Sequence, residues 1–207
     1  PQATKDEELA AIADLDSELY RVEASPKSQR IAQLLADGLI LARCAGRMEF
    51  GQRALGNRSI LADPSTPITK ERINNAIKNR DFWMPFAPIM LDTYADLYLQ
   101  NPKGIASPHM TIGYPTTRVG YEAMPAACHP ADHSARPQIL HRDANPEVYG
   151  ILEDFASLTG RGALLNTSFN LHGHPIVNTP ADAVYVFLNS DLDGLLFSHY
   201  LVLRNPV

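Results

Sequence analysis

An α/β layered domain is what this sequence predicts, and three observations carry the prediction. Helix-like and strand-like patterns alternate along the chain. Four segments begin with a capping residue followed by Pro at the first helical position, where the missing N–H costs nothing: Ser25-Pro26, Thr66-Pro67, Asn145-Pro146 and Thr179-Pro180. The composition, 45% hydrophobic and 20% charged over 207 residues, is that of a folded chain with enough length to bury a single generous core.

The elements follow in order. The opening PQATKDEELAAIADLDSEL is polar and acidic and begins with Pro1 rather than Met, so residues 1–30 read as a polar segment or linker cut from a longer chain. After Ser25-Pro26, Ile31, Leu34 and Leu35 recur at helical spacing until Gly38, and LILARC then reads as a buried strand. A basic helix is expected in ITKERINNAIKNR, with Ile73 and Ile77 on one face. In WMPFAP, Pro85 and Pro88 predict a packed turn in place of a helix or central strand. From Asn101 to Asn145 the chain is rich in Pro, His, Gly and Thr, which predicts a long loop-rich insertion with short strands at HMTIGY and PQILH. Val148, Ile151, Leu152, Phe155 and Leu158 form the next apolar helical face, ending near Gly160 before a strand in ALLNTSF. Ala183, Val184, Phe187 and Leu188 form the last one, before a strand in LLFSHYLVLR.

Charge and cysteine content narrow the function. The net charge of −5 argues against broad adhesion to nucleic acid but leaves room for one local basic cluster holding a small anion. The longest apolar stretch, around Leu39 to Ala42, is far short of a membrane span, and a cytoplasmic protein with two reduced thiols, Cys44 and Cys128, is expected. Motifs for a P-loop, a dinucleotide fold or a nucleophile elbow do not occur.

The densest chemical signal is GRMEFGQRALGNRSIL, which sets Arg47, Arg53 and Arg58 among three glycines. Glycines allow close backbone approach, and the planar Arg fork matches phosphate or carboxylate oxygens. Composition leaves a second reading open, in which these arginines are surface partners of Glu49 and Asp63. Lys78, near the end of the basic helix, is either a phosphate-reaching point charge or a complement to the helix dipole. Asn166, Thr167, Ser168 and Asn170 follow an apolar strand, where ligands of open α/β sheets gather; an ordinary polar turn is the alternative. The pairs His129 with His133 and His172 with His174 lack a clear third ligand, so no dedicated metal site is expected.

Four stretches, GRMEFGQRALGNRSILADP, INNAIKNRDFWMPFAP, PAACHPADHSARPQIL and LLNTSFNLHGHPIVNTPADA, resemble in that order the C-terminal domain of the O-carbamoyltransferases of nodulation and antibiotic tailoring. The resemblance runs from about residue 31 to 207. It implies a YrdC-like fold, a twisted mixed sheet flanked by helices with a basic cavity. It also implies an actin-like N-terminal transferase domain as partner in the full-length chain. The implied chemistry joins ATP, with Mg²⁺, and carbamoyl phosphate into carbamoyladenylate, from which the partner domain passes the carbamoyl group to a hydroxyl. By motif position, the resemblance assigns Arg53, Lys78 and Arg136 to carbamoyl phosphate and the polyphosphate, and makes Asn166 and Ser168 donors to carbamoyl and phosphate oxygens. It places Arg58, Thr167, His129 and Arg142 in matching motifs as further binding residues. Met84, His133 and His174 depart from the family pattern, standing where relatives have Arg, Gly and Glu. Two other readings are a binding-only nucleotide or carbamoyl phosphate module and a nucleic-acid-binding domain, the latter opposed by the acidic balance.

Overall fold

The computed structural model describes residues 2–78 and 85–205. Helix α1 (Lys5–Ile12) and strand β1 (Tyr20–Ala24) precede α2 (Ser28–Ala36), β2 (Leu41–Cys44) and β3 (Arg58–Ala62). Helix α3 (Pro67–Ile73) continues into a π-helical turn over Asn74–Lys78, followed by β4 (Ala87–Leu91), α4 (Ala95–Tyr98), α5 (Arg118–Ala123) and β5 (Gln138–Leu140). The chain closes with α6 (Pro146–Thr159), β6 (Ala163–Ser168), α7 (Pro180–Leu188), β7 (Gly194–Leu196) and β8 (Tyr200–Arg204).

The strands form one eight-stranded mixed sheet in the order β1-β8-β7-β2-β3-β6-β4-β5. β2 runs parallel to β7 and β4 to β5, and the other neighbours are antiparallel. Alternation along β3 divides the core. Ile60 and Ala62 join the cluster containing Ile12, Ile73 and Phe187 from α1, α3 and α7, while Leu61 joins the cluster of Leu35, Leu152 and Phe155 from α2 and α6. Helices therefore cover both faces, and each fully buried Leu or Phe contributes about 1.5–3 kcal/mol. A third cluster, with Met90, Tyr98, Tyr114 and Met124, packs the insertion against the β4 and β5 end.

Three of the four Pro-led starts have the expected form. Thr179 and Asn145 accept the Asp182 and Val148 amides as side-chain caps, and Thr66 precedes Pro67 at N1 without a cap bond. Ser25-Pro26 differs: α2 starts at Ser28, and Ser25 instead takes a left-handed φ of 48° at the turn after β1, its N–H donating to His199 O. Gly160 ends α6 as expected, in the left-handed region at φ 73°.

Residues 5–24, expected within a polar segment or linker, belong to the folded unit. β1 pairs with β8 along its whole length, Ile12 is buried, and the carboxylate of buried Glu8 accepts the N–H groups of Ser198 and His199 at 3.2 and 2.9 Å. The sequence signal was misleading because α1 has almost no apolar asymmetry and docks through a carboxylate. Pro88 is also a correction, because it lies in β4, inside the sheet. It is tolerated there because β5 joins β4 only from Ile89 onward, so one side of the strand has no ladder at Pro88. The segment LLFSHYLVLR is a β7–β8 hairpin rather than one strand. HMTIGY forms only an isolated bridge from Tyr114 to Ala135, whereas PQILH contains β5.

Candidate active site

Arg53 and Arg136 border the same hollows, at the end of β6 and beneath the loop that joins β2 to β3. The innermost, about 90 Å³, is also lined by Asn166, Thr167 and Ser168; an outer one of about 510 Å³ adds His129 and His172. Both arginines are exposed, and neither has an acidic partner among the described residues. Burial, and then the neighbouring Arg53, push the Arg136 guanidinium below its ordinary pKa. Two like charges facing one hollow are unfavourable by themselves and favourable once an anion sits between them.

The loop that carries Arg53 is organised by Glu49. Its carboxylate accepts the amides of Leu55 and Asn57 at 2.9 Å and of Arg58 at 3.2 Å, closing the turn in which Gly56 takes φ 118°. Two side-chain amides pin consecutive carbonyls of the same loop: Asn166 Nδ2 donates to Ala54 O at 2.9 Å and Gln138 Nε2 to Leu55 O at 3.1 Å. The acidic residues suggested as ion-pair partners for this loop are used otherwise, since Asp63 pairs with Arg161 and Glu49 serves the backbone.

Lys78, only 2% exposed, extends from the π-helical turn to Ser168, which lines the innermost hollow. Its Nζ donates to Asn170 Oδ1 at 2.7 Å, Asn170 O at 3.1 Å and Ser168 Oγ at 3.3 Å, and Ser168 Oγ donates to Asn170 Oδ1 at 2.7 Å. Asn170 also donates to Leu171 O and His174 O, so it ties the ammonium to the β6–α7 loop.

The remaining expected residues separate. His129 lies on the outer wall, its Nδ1 3.3 Å from Asp132 Oδ1. Arg58 stands apart: buried at 2% exposure, it donates to the carbonyls of Ala45, Asn57 and Asn178 and holds β3 to the α7 entry. Arg142 is also apart, on the surface, paired with Glu153 and stacked 4.6 Å over the Tyr149 ring. Neither was separable from Arg53 by sequence, because all three are arginines in polar contexts. Gln138 escaped notice, and Glu49 entered only as an ion-pair partner for the arginines. For Glu49 the available signal was one acid inside an otherwise cationic glycine loop.

His133 takes φ 57°, the left-handed conformation glycine adopts freely, and stacks on Tyr121 with ring centroids 3.8 Å apart. The glycine that the resemblance implies at this position would adopt the same conformation without strain. His174 accepts from Asn170 through its carbonyl, an interaction independent of side-chain identity. Met84 and Arg80 lie outside the described residues.

Residues 32–204 match the family model described as carbamoyltransferase C-terminus. The chain belongs to that family. It is 41% identical over 176 residues to nodulation protein NolNO of Sinorhizobium fredii, covering 84% of this chain and 26% of that protein. An uncharacterized protein of Methanocaldococcus jannaschii is 42% identical over 173 residues, covering 84% of this chain and 28% of its own length. This member thus spans well under half the length of these curated relatives. Full-length HypF, solved in a phosphate- and nucleotide-bound form, has a TM-score of 0.56 at 15% identity, covering 90% of this chain and 22% of that one, and so shares the fold.

Proposed function

We propose that this carbamoyltransferase-family chain activates the carbamoyl group, forming carbamoyladenylate from ATP and carbamoyl phosphate. The observation that supports this reading best is the pair of arginines, Arg53 and Arg136, without acidic partners among the described residues and facing the Asn166-Thr167-Ser168 strand end across one hollow.

The chemistry has two parts. Water converts carbamoyl phosphate into carbamate and inorganic phosphate. A carbamate oxygen then attacks the α-phosphorus of ATP, forming the new P–O bond as the bond to pyrophosphate breaks. The protein's task is to hold two anions together and neutralise the leaving group, so fixed charge and position do most of the work. Arg53 and Arg136 offer forked donors to phosphate oxygens. Lys78 supplies further positive charge and Thr167 a hydroxyl donor, Ser168, whose hydroxyl donates to Asn170, lines the inner hollow, and His129 borders the wider outer hollow suited to the rest of the nucleotide. ATP would bring Mg²⁺, which would neutralise phosphate charge and would be held more by phosphate oxygens and water than by protein side chains.

The carbamoyl group then passes from the adenylate to a hydroxyl of an acceptor held by an actin-like N-terminal domain of a longer protein, with AMP as the leaving group, a partner consistent with the greater length of the relatives. The proposed compartment is the cytoplasm. Both cysteines are free, and among the described residues no helix is long and apolar enough to cross a membrane.

The test is pyrophosphate release from ATP and Mg²⁺ with and without carbamoyl phosphate, with the AMP adduct identified by mass. Carbamoyl-phosphate-dependent release with carbamoyladenylate is the expected result. ATP binding with no release would select a module that binds but does not activate.

A further inference from the structure

We infer that Asn166 is the residue that distinguishes a carbamoyl group from other acyl groups, its Oδ1 accepting an N–H of the carbamoyl amide. This deepens the reading above and rests on it.

Asn166 lies in β6, between β3 and β4, is 2% exposed and lines the innermost hollow together with Arg53 and Arg136. Its amide orientation is determined by the backbone. Nδ2 donates to Ala54 O at 2.9 Å, and turning the amide over would set Oδ1 against that carbonyl, acceptor against acceptor. One of the two N–H donors expected from sequence to serve a ligand oxygen is therefore already used. Oδ1 is left buried with no hydrogen-bond partner among the described residues. Native interiors rarely leave such an acceptor unmatched, and a donor arriving with the ligand removes the penalty.

A ligand that carries a donor close to a phosphate satisfies both parts of the hollow. Carbamoyl phosphate has both: its phosphoryl oxygens suit the two arginines, and its NH₂ lies on the far side of the carbonyl carbon. Acetyl phosphate places a methyl group there, which leaves Oδ1 unmatched. A carboxylate oxygen in that position would be repelled by it. Selectivity of this kind arises because a site built to receive a polar group penalises an isostere that lacks it.

The experiment is calorimetric titration of the unmodified chain with carbamoyl phosphate, acetyl phosphate and inorganic phosphate, repeated with Asn166→Ala. Carbamoyl phosphate is expected to bind roughly 10- to 100-fold more tightly than acetyl phosphate, and the variant to bring that ratio close to one. The ligand series on the unmodified chain stands even where the variant folds poorly. Equal affinity for the two acyl phosphates, or a variant that keeps the preference, overturns the role of Asn166 and leaves the anion site in place. Failure of both carbamoyl phosphate and inorganic phosphate to bind removes the anion site itself, and this inference with it.

Discussion

Lys78 Nζ and Asn170 Oδ1 are 2.7 Å apart, and the lysine is 2% exposed. A buried ammonium needs acceptors, and Asn170 supplies two of them, one from its side chain and one from its backbone. Asn170→Ala is expected to cost about 1.5–3 kcal/mol of stability, the range for a charge-assisted hydrogen bond, measured by urea unfolding. Lys78→Ala is expected to lower carbamoyl-phosphate-dependent pyrophosphate release by about 10²- to 10³-fold. Unchanged release in Lys78→Ala would remove that lysine from the active site.

Arg53 and Arg136 repel one another in the free protein, so function and stability should separate. Arg53→Ala is expected to leave the melting temperature unchanged or raised while weakening anion binding about 10-fold or more. Inorganic phosphate should raise the melting temperature of the unmodified chain and have no effect on the double Arg53→Ala, Arg136→Ala variant. Equal thermal shifts in both proteins would place the phosphate elsewhere.

Burial pushes the Glu49 carboxyl above its ordinary value of 4.5, outweighing the three amides it accepts. A carboxyl raised in the folded state favours folding most below pH 4.5, and this contribution is lost as pH rises through the folded value. Relative to Glu49→Gln, the unmodified chain should therefore lose stability as pH increases from 4.5, as followed by urea unfolding at several pH values. Glu49→Ala, which leaves the Leu55, Asn57 and Arg58 amides without this acceptor, is expected to weaken phosphate binding by loosening the loop of Arg53. A pH-independent stability difference between the Gln variant and the unmodified chain would mean that Glu49 titrates normally.

Burial raises the thiol of Cys44 to about 11 and that of Cys128 to about 12. Both are expected to resist iodoacetamide at pH 8 in the folded protein and to react fully in urea, a contrast read by intact mass. Labelling of the folded protein would show that one of these interiors opens.

Much of the fold was legible in local pattern. The helical spacing of Ile31, Leu34 and Leu35 and of Val148, Ile151, Leu152 and Phe155 identified both helices of one face, and the Pro-led starts at 67, 146 and 180 were correct to the residue. Local pattern failed where a long-range partner decides. β1 is a strand because β8 lies beside it, α1 is anchored by Glu8 meeting Ser198 and His199, and Pro88 enters a strand because β5 begins one residue later.

The site divides in the same way. From sequence alone came the chemistry on offer: arginines in a glycine loop, a lysine on a basic helix, and amides and hydroxyls at a strand end, in motifs that resemble one family. The tertiary structure decided which of these groups face a shared hollow and what each atom is free to do. It buried Arg58 among carbonyls, paired Arg142 with Glu153, left Arg53 and Arg136 without acids among the described residues, and turned the Asn166 amide so that an acceptor remains. The physical reason is that a residue type determines how many hydrogen bonds and charges it can present, whereas their satisfaction depends on neighbours that folding brings from distant sequence.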